Sequence, residues 1–560
     1  MEQQSALAQT TRPEEQQTRN RFGWVRDFFA VRHFFSEDTS PDNGQVVELQ
    51  RRATWLGLAL ILMSLSEVMY DPEPIKAFSY VLYALVRFLA FVSLLGSFGA
   101  VWMTFRPVTL KQQTRQLNKS PRLWQRITLA LMMILALVGG FLCVYTVVES
   151  FLPPQFTNDG TSLDTNAAAL LLQGRNPYTD SNMLDIARRF GIQPNWTTPL
   201  RVGEFANRLE YPTSVEFQTV MDTDLKNGEG TEFESKVSYP ALSFLTLVPF
   251  VWLKAYNVLP FYLACYVLLV AIAWKVVRPE LRPWVLLFAM ANVPMWSSTI
   301  SGNLDIFYTL LIVMVWLLRD HRWRSALFLG LAVASKQIAW YFVPFYLIMT
   351  WRQYGLREAA YRLSIAGVIG LFFNLPFIVW DPQAWLAGVF APVADPMFPM
   401  GIGLIELNIT HVLPYFPNWV YALLEGGALI LALVYYWRLC RKHPEAAMLL
   451  AVFPLIFAWR SLPSYFYCAI FPIFLLMNAR PLPDYYGARR RNVPFIFGGG
   501  EQAVRRQIIP APVGVRAAMQ VVLLFRNVMS PGCFASARAW LYLHSTWSGQ
   551  EEDQPAVQRG

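Results

Sequence analysis

Apolar runs long enough to cross a bilayer recur along this chain, and no other feature restricts its fold as much. A helix rises 1.5 Å per residue, so about 20 apolar residues span a hydrocarbon core of ~30 Å, where every backbone polar group must be satisfied within the protein. Candidate spans lie at 53–70, 78–104, 127–148, 239–277, 283–300, 304–318, 325–351, 363–380, 403–437, 446–462 and 464–479. Some of these have room for two short helices, which gives about 11 to 13 crossings. With 54% of 560 residues hydrophobic and 15% charged, the expected fold is all-α, a polytopic transmembrane helical bundle. The first fifty residues are polar, without an apolar core and small-residue cleavage site, so no removed signal peptide is expected.

The basic residues predict the orientation. Loop 105–126 carries Arg106, Lys111, Arg115, Lys119, Arg122 and Arg126 with no acid, which places it in the cytoplasm. The next helix then runs outward and delivers the one large hydrophilic insertion, 149–238, to the extracytoplasmic face. Its thirteen acidic against seven basic residues agree. Basic anchors at 319–324, 438–443 and 484–491 should also face inward. That requires one net crossing from 239–277 and none from 325–351, hence broken or re-entrant helices, tolerated only where backbone is buried in protein or lines a watery cavity. Segment 20–35 mixes aromatics with Arg21, Arg26 and Arg32 and reads as an interfacial helix. Over 480–550 nine Arg face two acids, as suits a tail on the anionic inner leaflet. The predicted divisions are a cytoplasmic tail, 1–52; a transmembrane hairpin with its basic loop, 53–126; a main membrane module, 127–480; and a basic cytoplasmic tail, 481–560.

Several function classes are excluded. The net charge of +9 is accounted for by short loops and the tail, so no nucleic-acid partner is expected. Cys143, Cys265 and Cys468 lie in apolar segments, Cys440 ends one and Cys533 is in the tail; none falls in 149–238, so neither disulfides nor a zinc site is expected. The sequence contains no P-loop, no GxGxxG after a strand and no HExxH, which argues against an ATP-driven pump, a dinucleotide enzyme and a zinc protease. The Gly-rich FGGGEQ near 497 reads as a linker. No cofactor is expected, and a divalent metal is not indicated.

The polar stretch TNDGTSLDTNAAALLLQGRNPYTDSN, 157–182, follows directly on an apolar run. Thr161 and Asp164 match the spacing of a capping box, the following run to Gln173 continues a helix, and Gly174 suits its stop. Asp164 would then reach back to cap. Positions five apart sit about 140° apart on a helix, so Asp159 and Asp164 cannot share a face. Asp159 has no such local role and is either a functional acid or a solvated loop acid. Ionisable groups in or near apolar segments are the other candidates, since a charge there costs roughly 2.5–3.5 kcal/mol. Lys336 is either a ligand contact or half of an internal ion pair, with Asp305 a candidate partner; Arg460 is a ligand contact or an interfacial anchor; His411 is a ligand contact or a hydrogen-bonded core residue. Glu67 and Arg87 are placed to pair with each other.

An outer-face Asp after a membrane helix, an Ala/Leu helix, GRNPY at 174–178 and YPALSFL at 239–245 resemble the GT-C superfamily of membrane glycosyltransferases. So do SGNLDIFYTLL from Ser301 and LAVASKQIAWYFVPF from Leu331. The resemblance covers about 130–480 and is nearest to the polyprenol-phosphate-mannose-dependent mannosyltransferase type. It implies a GT-C-like bundle with a helical extracytoplasmic loop, in a prokaryotic plasma membrane. It further implies inverting transfer of a hexose, mannose first, from a polyprenyl-phosphate-sugar donor to a lipid or glycan acceptor outside the cytoplasm. By carry-over the acids of the first loop, Asp159 and Asp164, are the catalytic candidates, Asp159 as general base. Lys336, His411 and Arg460 would meet the donor phosphate, and Arg175, Asn176, Tyr178, Tyr239, Asn303 and Asp305 the substrates. The chain departs from the family pattern in having Asn158-Asp159-Gly160 rather than two adjacent acids, Tyr239-Pro240-Ala241 rather than Tyr-Pro-Pro, and two apolar spans before the module, which read as an added hairpin.

Two readings compete. A secondary transporter or flippase would use Lys336, Asp305 and Arg460 as ligands within the membrane and should show related halves with interrupted helices in matching positions. A structural or sensory subunit would tolerate replacement of Asp159.

Overall fold

The computed structural model describes residues 43–70, 78–106, 122–153, 158–193, 196–228, 230–467 and 469–479. The interfacial segment 20–35, most of the basic loop 105–126 and the tail 481–560 lie outside the described residues. Three helices come first: α1 (Asn43–Val68), α2 (Tyr80–Thr104) and α3 (Leu123–Glu149). α1 begins ahead of the boundary at 53 expected from the apolar run, because its polar first turns carry the Glu48 pairs with Arg51 and Arg52. Within lipid, helices gain no hydrophobic drive to associate and close on small residues instead. Gly139 of α3 shows this: a Cβ there would sit 1.6 Å from the Met290 carbonyl oxygen.

The polar segment after α3 opens with α4 (Asp159–Leu172). One small apolar core gathers around Leu163, Met183, Phe205, Phe217 and Phe233; a second, around Tyr178 and Val237, includes Phe244 and Phe377 and so joins the insertion to the membrane module. The chain then makes two short turns, Leu242–Leu245 and Val248–Trp252, and a single long helix, α5 (Leu259–Val276). Next come α6 (Arg282–Ala291) and α7 (Val293–Ile300), split at Asn292 before Pro294, then α8 (Asp305–Leu317), α9 (Arg322–Ser335) and α10 (Phe342–Tyr354). α9 and α10 form a re-entrant pair that breaks at Lys336. The hydroxyl of Tyr354 at its far end donates to Asp320 at its start (2.5 Å), so the segment leaves and returns on one side of the bundle.

The long helices α11 (Leu356–Trp380) and α12 (Asn418–Leu439) and the shorter α13 (Ile470–Asn478) complete the helical set used below. Five helices, α2, α3, α5, α11 and α12, are long and apolar enough to cross a membrane. The protein is an all-α polytopic membrane protein. Its two-residue strands β1 (Met400–Gly401) and β2 (Arg460–Ser461) pair in parallel, Met400 opposite Arg460. Gly401 has φ +134°, and a Cβ there would lie 2.2 Å from the Ser461 carbonyl oxygen, so this pairing requires glycine.

Arg87 does not pair with Glu67. Its guanidinium lies bidentate on the carboxylate of Glu406, in the short helix Ile405–Ile409, with both side chains buried. Glu67 instead accepts from the Tyr467 hydroxyl at 2.8 Å. The hairpin α1–α2 is thereby bolted to the far end of the sequence, and the sequence separation of 319 residues explains why neighbours in the chain suggested the wrong partner.

Glu406→Ala leaves the Arg87 charge buried and uncompensated, which costs about 3–5 kcal/mol. Thermal unfolding in detergent should fall accordingly, whereas the double variant Arg87→Met/Glu406→Leu should recover most of the loss. Equal melting of Glu406→Ala and wild type would show that the pair does not hold the hairpin.

Candidate active site

The stretch Asn158-Asp159-Gly160-Thr161 is built residue by residue into a dock. Asn158, extended at φ −153°, is the N-cap of α4; its side-chain oxygen accepts from the Thr161 N–H at 2.9 Å. Its amide donates to the Ser301 carbonyl, and the Thr161 hydroxyl donates to the Gly302 carbonyl at 2.6 Å. Gly302 stands at φ +66°. These bonds clamp the start of α4 on the Ser301-Gly302-Asn303 turn. Asp159 is the first helical residue: one carboxylate oxygen accepts from the Gly160 N–H at 2.8 Å and the other from the Thr198 hydroxyl. It remains half-exposed.

The capping box expected at Thr161 and Asp164 is not formed, since Asn158 caps and the helix starts three residues earlier. Asp164 is 1% exposed, and its carboxylate accepts from Ser243 at 2.9 Å. The stop at Gly174 is as expected: Gly174 has φ +73°, its N–H reaches the Leu171 carbonyl and that of Arg175 the Leu170 carbonyl, both at 3.0 Å.

Tyr239 is the meeting point. A Cβ on Gly160 would lie 2.9 Å from its ring, so the glycine makes room for it. On its other side the Lys336 ammonium stands 5.2 Å from the ring centroid, within cation–π range. Its backbone neighbourhood is held by three side chains. Tyr178 donates to the Tyr239 carbonyl at 2.8 Å, Gln337 to the Ser238 carbonyl, and the Ala241 N–H donates to Asn374 of α11 at 2.9 Å. Tyr178 itself is buried against Phe244 and Phe377, and Asn176 caps the turn it belongs to.

Lys336 lies where α9 ends, at φ −153°, ψ 140°. Its ammonium pairs with Asp305 at 2.6 Å, the two side chains 4% and 1% exposed. Of the two roles open to Lys336, the ion pair is thus present. Asp305 begins α8, where the helix dipole favours an anion, and receives a long bond from Ser298 at 3.4 Å. Arg460 differs: its guanidinium donates only to the sulfurs of Met397 and Met400, and among the described residues it forms no ion pair. Tyr465 lies within electrostatic reach of Arg460, Asp305, Asp159 and Glu425. The described structure therefore gathers Asp159, Tyr239, Asp305, Lys336 and Arg460 around one locus, with Asn303 in the turn that holds Asn158 and Asp164 one layer below.

Other expected residues stand elsewhere. His411, at φ +56° and exposed, has its ring beside Tyr80 of α2 at 6.4 Å. Arg175 is exposed and pairs with Asp180 at 3.0 Å. Residues that the sequence reading passed over are Thr198, which no local pattern marks, and Glu425. Glu425 is a charge in the apolar helix α12, and the rule that singled out Lys336 applies equally to it. Among the described residues no three His, Cys, Asp or Glu side chains converge as metal ligands.

Burial pushes the Asp164 carboxyl up to about 8, with Asp159 adding to the rise against the bond from Ser243 and the attraction of Lys336. Asp164 lies in the polar insertion, outside the membrane-spanning segments. A carboxyl whose folded pKa exceeds its unfolded one binds the proton more tightly when folded, so it favours folding most below pH ~4 and loses that contribution as pH rises towards about 8. Asp164→Asn, neutral throughout, should flatten the decline: melting temperatures of variant and wild type should converge near pH 5 and separate in the variant's favour near pH 8.5. A constant offset at all pH values would show that Asp164 is ionised in the folded protein.

Residues 238–459 match the family model described as Glycosyltransferase family 87. The match takes in Tyr239, Asn303, Asp305, Lys336 and Glu425, begins after α4 and stops one residue short of Arg460. No curated protein and no solved structure matches the chain. An enzyme is thus favoured over a transporter or a structural subunit: the match over the segment that forms the Asp305–Lys336 pair, together with the membrane helices, supports a membrane glycosyltransferase.

Proposed function

We propose that the protein transfers a hexose, mannose first among the candidates, from a polyprenyl-phosphate donor to a lipid or glycan acceptor on the extracytoplasmic face of a prokaryotic plasma membrane. The observation that carries this reading is a half-exposed, firmly held acid, Asp159, set where Gly160 meets Tyr239 and the Lys336–Asp305 pair, together with Arg460, a cation with no carboxylate partner among the described residues. A hydroxyl is a poor nucleophile, and a positioned carboxylate contributes about 10²- to 10⁴-fold by taking its proton. Asp159 is exposed enough to receive that proton and rigid enough to be aimed, whereas Asp164 is sealed beneath it and serves to seat α4 on Ser243. The acceptor oxygen loses its proton to Asp159 as it bonds to the anomeric carbon. The bond from that carbon to the phosphate oxygen breaks with its electron pair leaving on the phosphate, so the configuration inverts.

The leaving phosphate gains charge as the bond breaks, and donors aimed at it lower the barrier. Arg460 suits this role because its guanidinium is not already neutralised. Lys336, tied to Asp305, supports the site through its contact with Tyr239. His411 would enter only if the donor's headgroup extends towards Tyr80. The acidic outer insertion supplies the acceptor side, with Asn176, Tyr178 and Asn303 shaping it and Arg175 at its rim.

Transfer from radiolabelled polyprenyl-phosphate-mannose to extracted cell-envelope acceptors tests the assignment. Asp159→Asn should lose about 10² or more in rate, and Asp164→Asn less than about tenfold. Arg460→Ala should raise the donor KM by about tenfold or more while leaving the acceptor KM in place. Full activity in Asp159→Asn would remove the general base from this reading, and an unchanged donor KM in Arg460→Ala would remove the phosphate contact.

A further inference from the structure

α12 turns one seam inward. Tyr421, Ala428, Ala432 and Tyr436 are buried along it, and Glu425 falls on the same seam by helical spacing. Leu423, Ile430 and Val434, on the opposite side, are exposed as lipid-facing residues should be. Glu425, like Leu433 and Leu439 on that seam, is half-buried. The carboxylate accepts from the hydroxyl of Tyr341, which lies in the short helical segment immediately after Lys336, and among the described residues no cation pairs with it. Counted from Asn418, Glu425 is about 10 Å along the helix. A carboxylate in an apolar helix that meets only a phenol is costly unless something arrives to hydrogen-bond with it.

The neighbourhood says what that is. Tyr341 belongs to the turn Gln337–Tyr341 that follows Lys336 directly, so its bond sets Glu425 beside the junction of Lys336 with Tyr239, and Glu425 and Arg460 both act electrostatically on Tyr465. A lipid-linked sugar phosphate presents this combination: acidic oxygens on the phosphate and, a few bonds away, adjacent hydroxyls that donate to a carboxylate. We propose that Glu425, fixed by Tyr341, is the subsite for hydroxyls of the donor's hexose. This rests on the lipid-linked donor of the preceding section. The acceptor's sugar is the weaker occupant, because Glu425 lies on a membrane-spanning helix beside Arg460, whereas the acceptor base Asp159 belongs to the outer insertion.

The test uses the full chain in detergent with polyprenyl-phosphate-mannose, -glucose and -galactose, and then the 2-, 3-, 4- and 6-deoxy forms of whichever donor is transferred. Glu425→Ala should raise the donor KM by about 10- to 100-fold, the range of a hydrogen bond to a charged group, with the acceptor KM unchanged. Wild type should disfavour at least one deoxy donor by a similar factor, and Glu425→Ala should no longer distinguish that donor from its parent. Glu425→Gln, which keeps the volume and the bond from Tyr341, should show the same loss of discrimination to a smaller degree and guards against misfolding of the alanine variant. An unaltered ratio of parent to deoxy donors in both variants, or a rise confined to the acceptor KM, would overturn the assignment while leaving the donor class standing. Failure of wild type to use any of the three donors would overturn the donor class and this subsite with it.

Discussion

A lysine that ends a helix inside an apolar bundle must find an anion, and the Asp305–Lys336 pair is the constraint on which the rest of this structure depends. Removing two charges from water costs several kcal/mol per ion, recovered only with close geometry and further bonds. The pair achieves this at 2.6 Å by bringing the end of α9 to the start of α8, where the dipole also favours the carboxylate. The cost is a broken helix. α9 stops at Ser335, Lys336 turns extended, and the carbonyl of Val333 is satisfied by the Trp340 indole at 2.9 Å. Because α8, α9 and α10 are all short, their junctions collect at one level, which is where Tyr239 and the start of α4 dock.

Tyr239 converts that junction into a site. Its ring touches Gly160 from the outer insertion and faces Lys336 from the re-entrant pair, while its backbone is tied to Tyr178 and its neighbours to Gln337 and Asn374. Three stretches far apart in sequence are thus registered against one residue. Any larger side chain at 160 would push the ring towards Lys336 and change the aim of Asp159, the adjacent residue. Geometry at the acid is therefore set by packing in the membrane module rather than by the insertion alone.

Much of this was legible before any coordinates. The apolar run lengths predicted a polytopic helical bundle, because the backbone's need for internal hydrogen bonds leaves few alternatives in lipid. Charge bias predicted that 325–351 would turn back, and the break at Lys336 is where it does. Lys336 and Asp305 stood out because ionisable groups near lipid are costly, and Asp159 because no local role accounted for it. What was not legible depended on long-range pairing. Arg87 found Glu406 rather than Glu67; Asp164 sat under Ser243 rather than in a capping box; Asn158 capped α4 because its other bond, to Ser301, came from 143 residues away. Thr198 carries no pattern at all, since its position follows from the strand-like pairing of Pro199 with Phe233.

The charges at the site divide by how far each is already compensated. Lys336 and Asp305 neutralise each other in a dry contact, so neither has much field left to offer an incoming phosphate. Arg460 is held by a two-residue strand pairing that only glycine at 401 permits, and it rests on thioether sulfurs, which are weak acceptors. An arginine always carries its charge, and its planar fork matches phosphate oxygens two at a time. Holding such a group against methionines costs stability, and an anion reaching it would recover that cost. The same reasoning applies with opposite sign to Glu425. The paired charges maintain the architecture, whereas Arg460 and Glu425, without ionic partners among the described residues, would set the polarity of a ligand bound there.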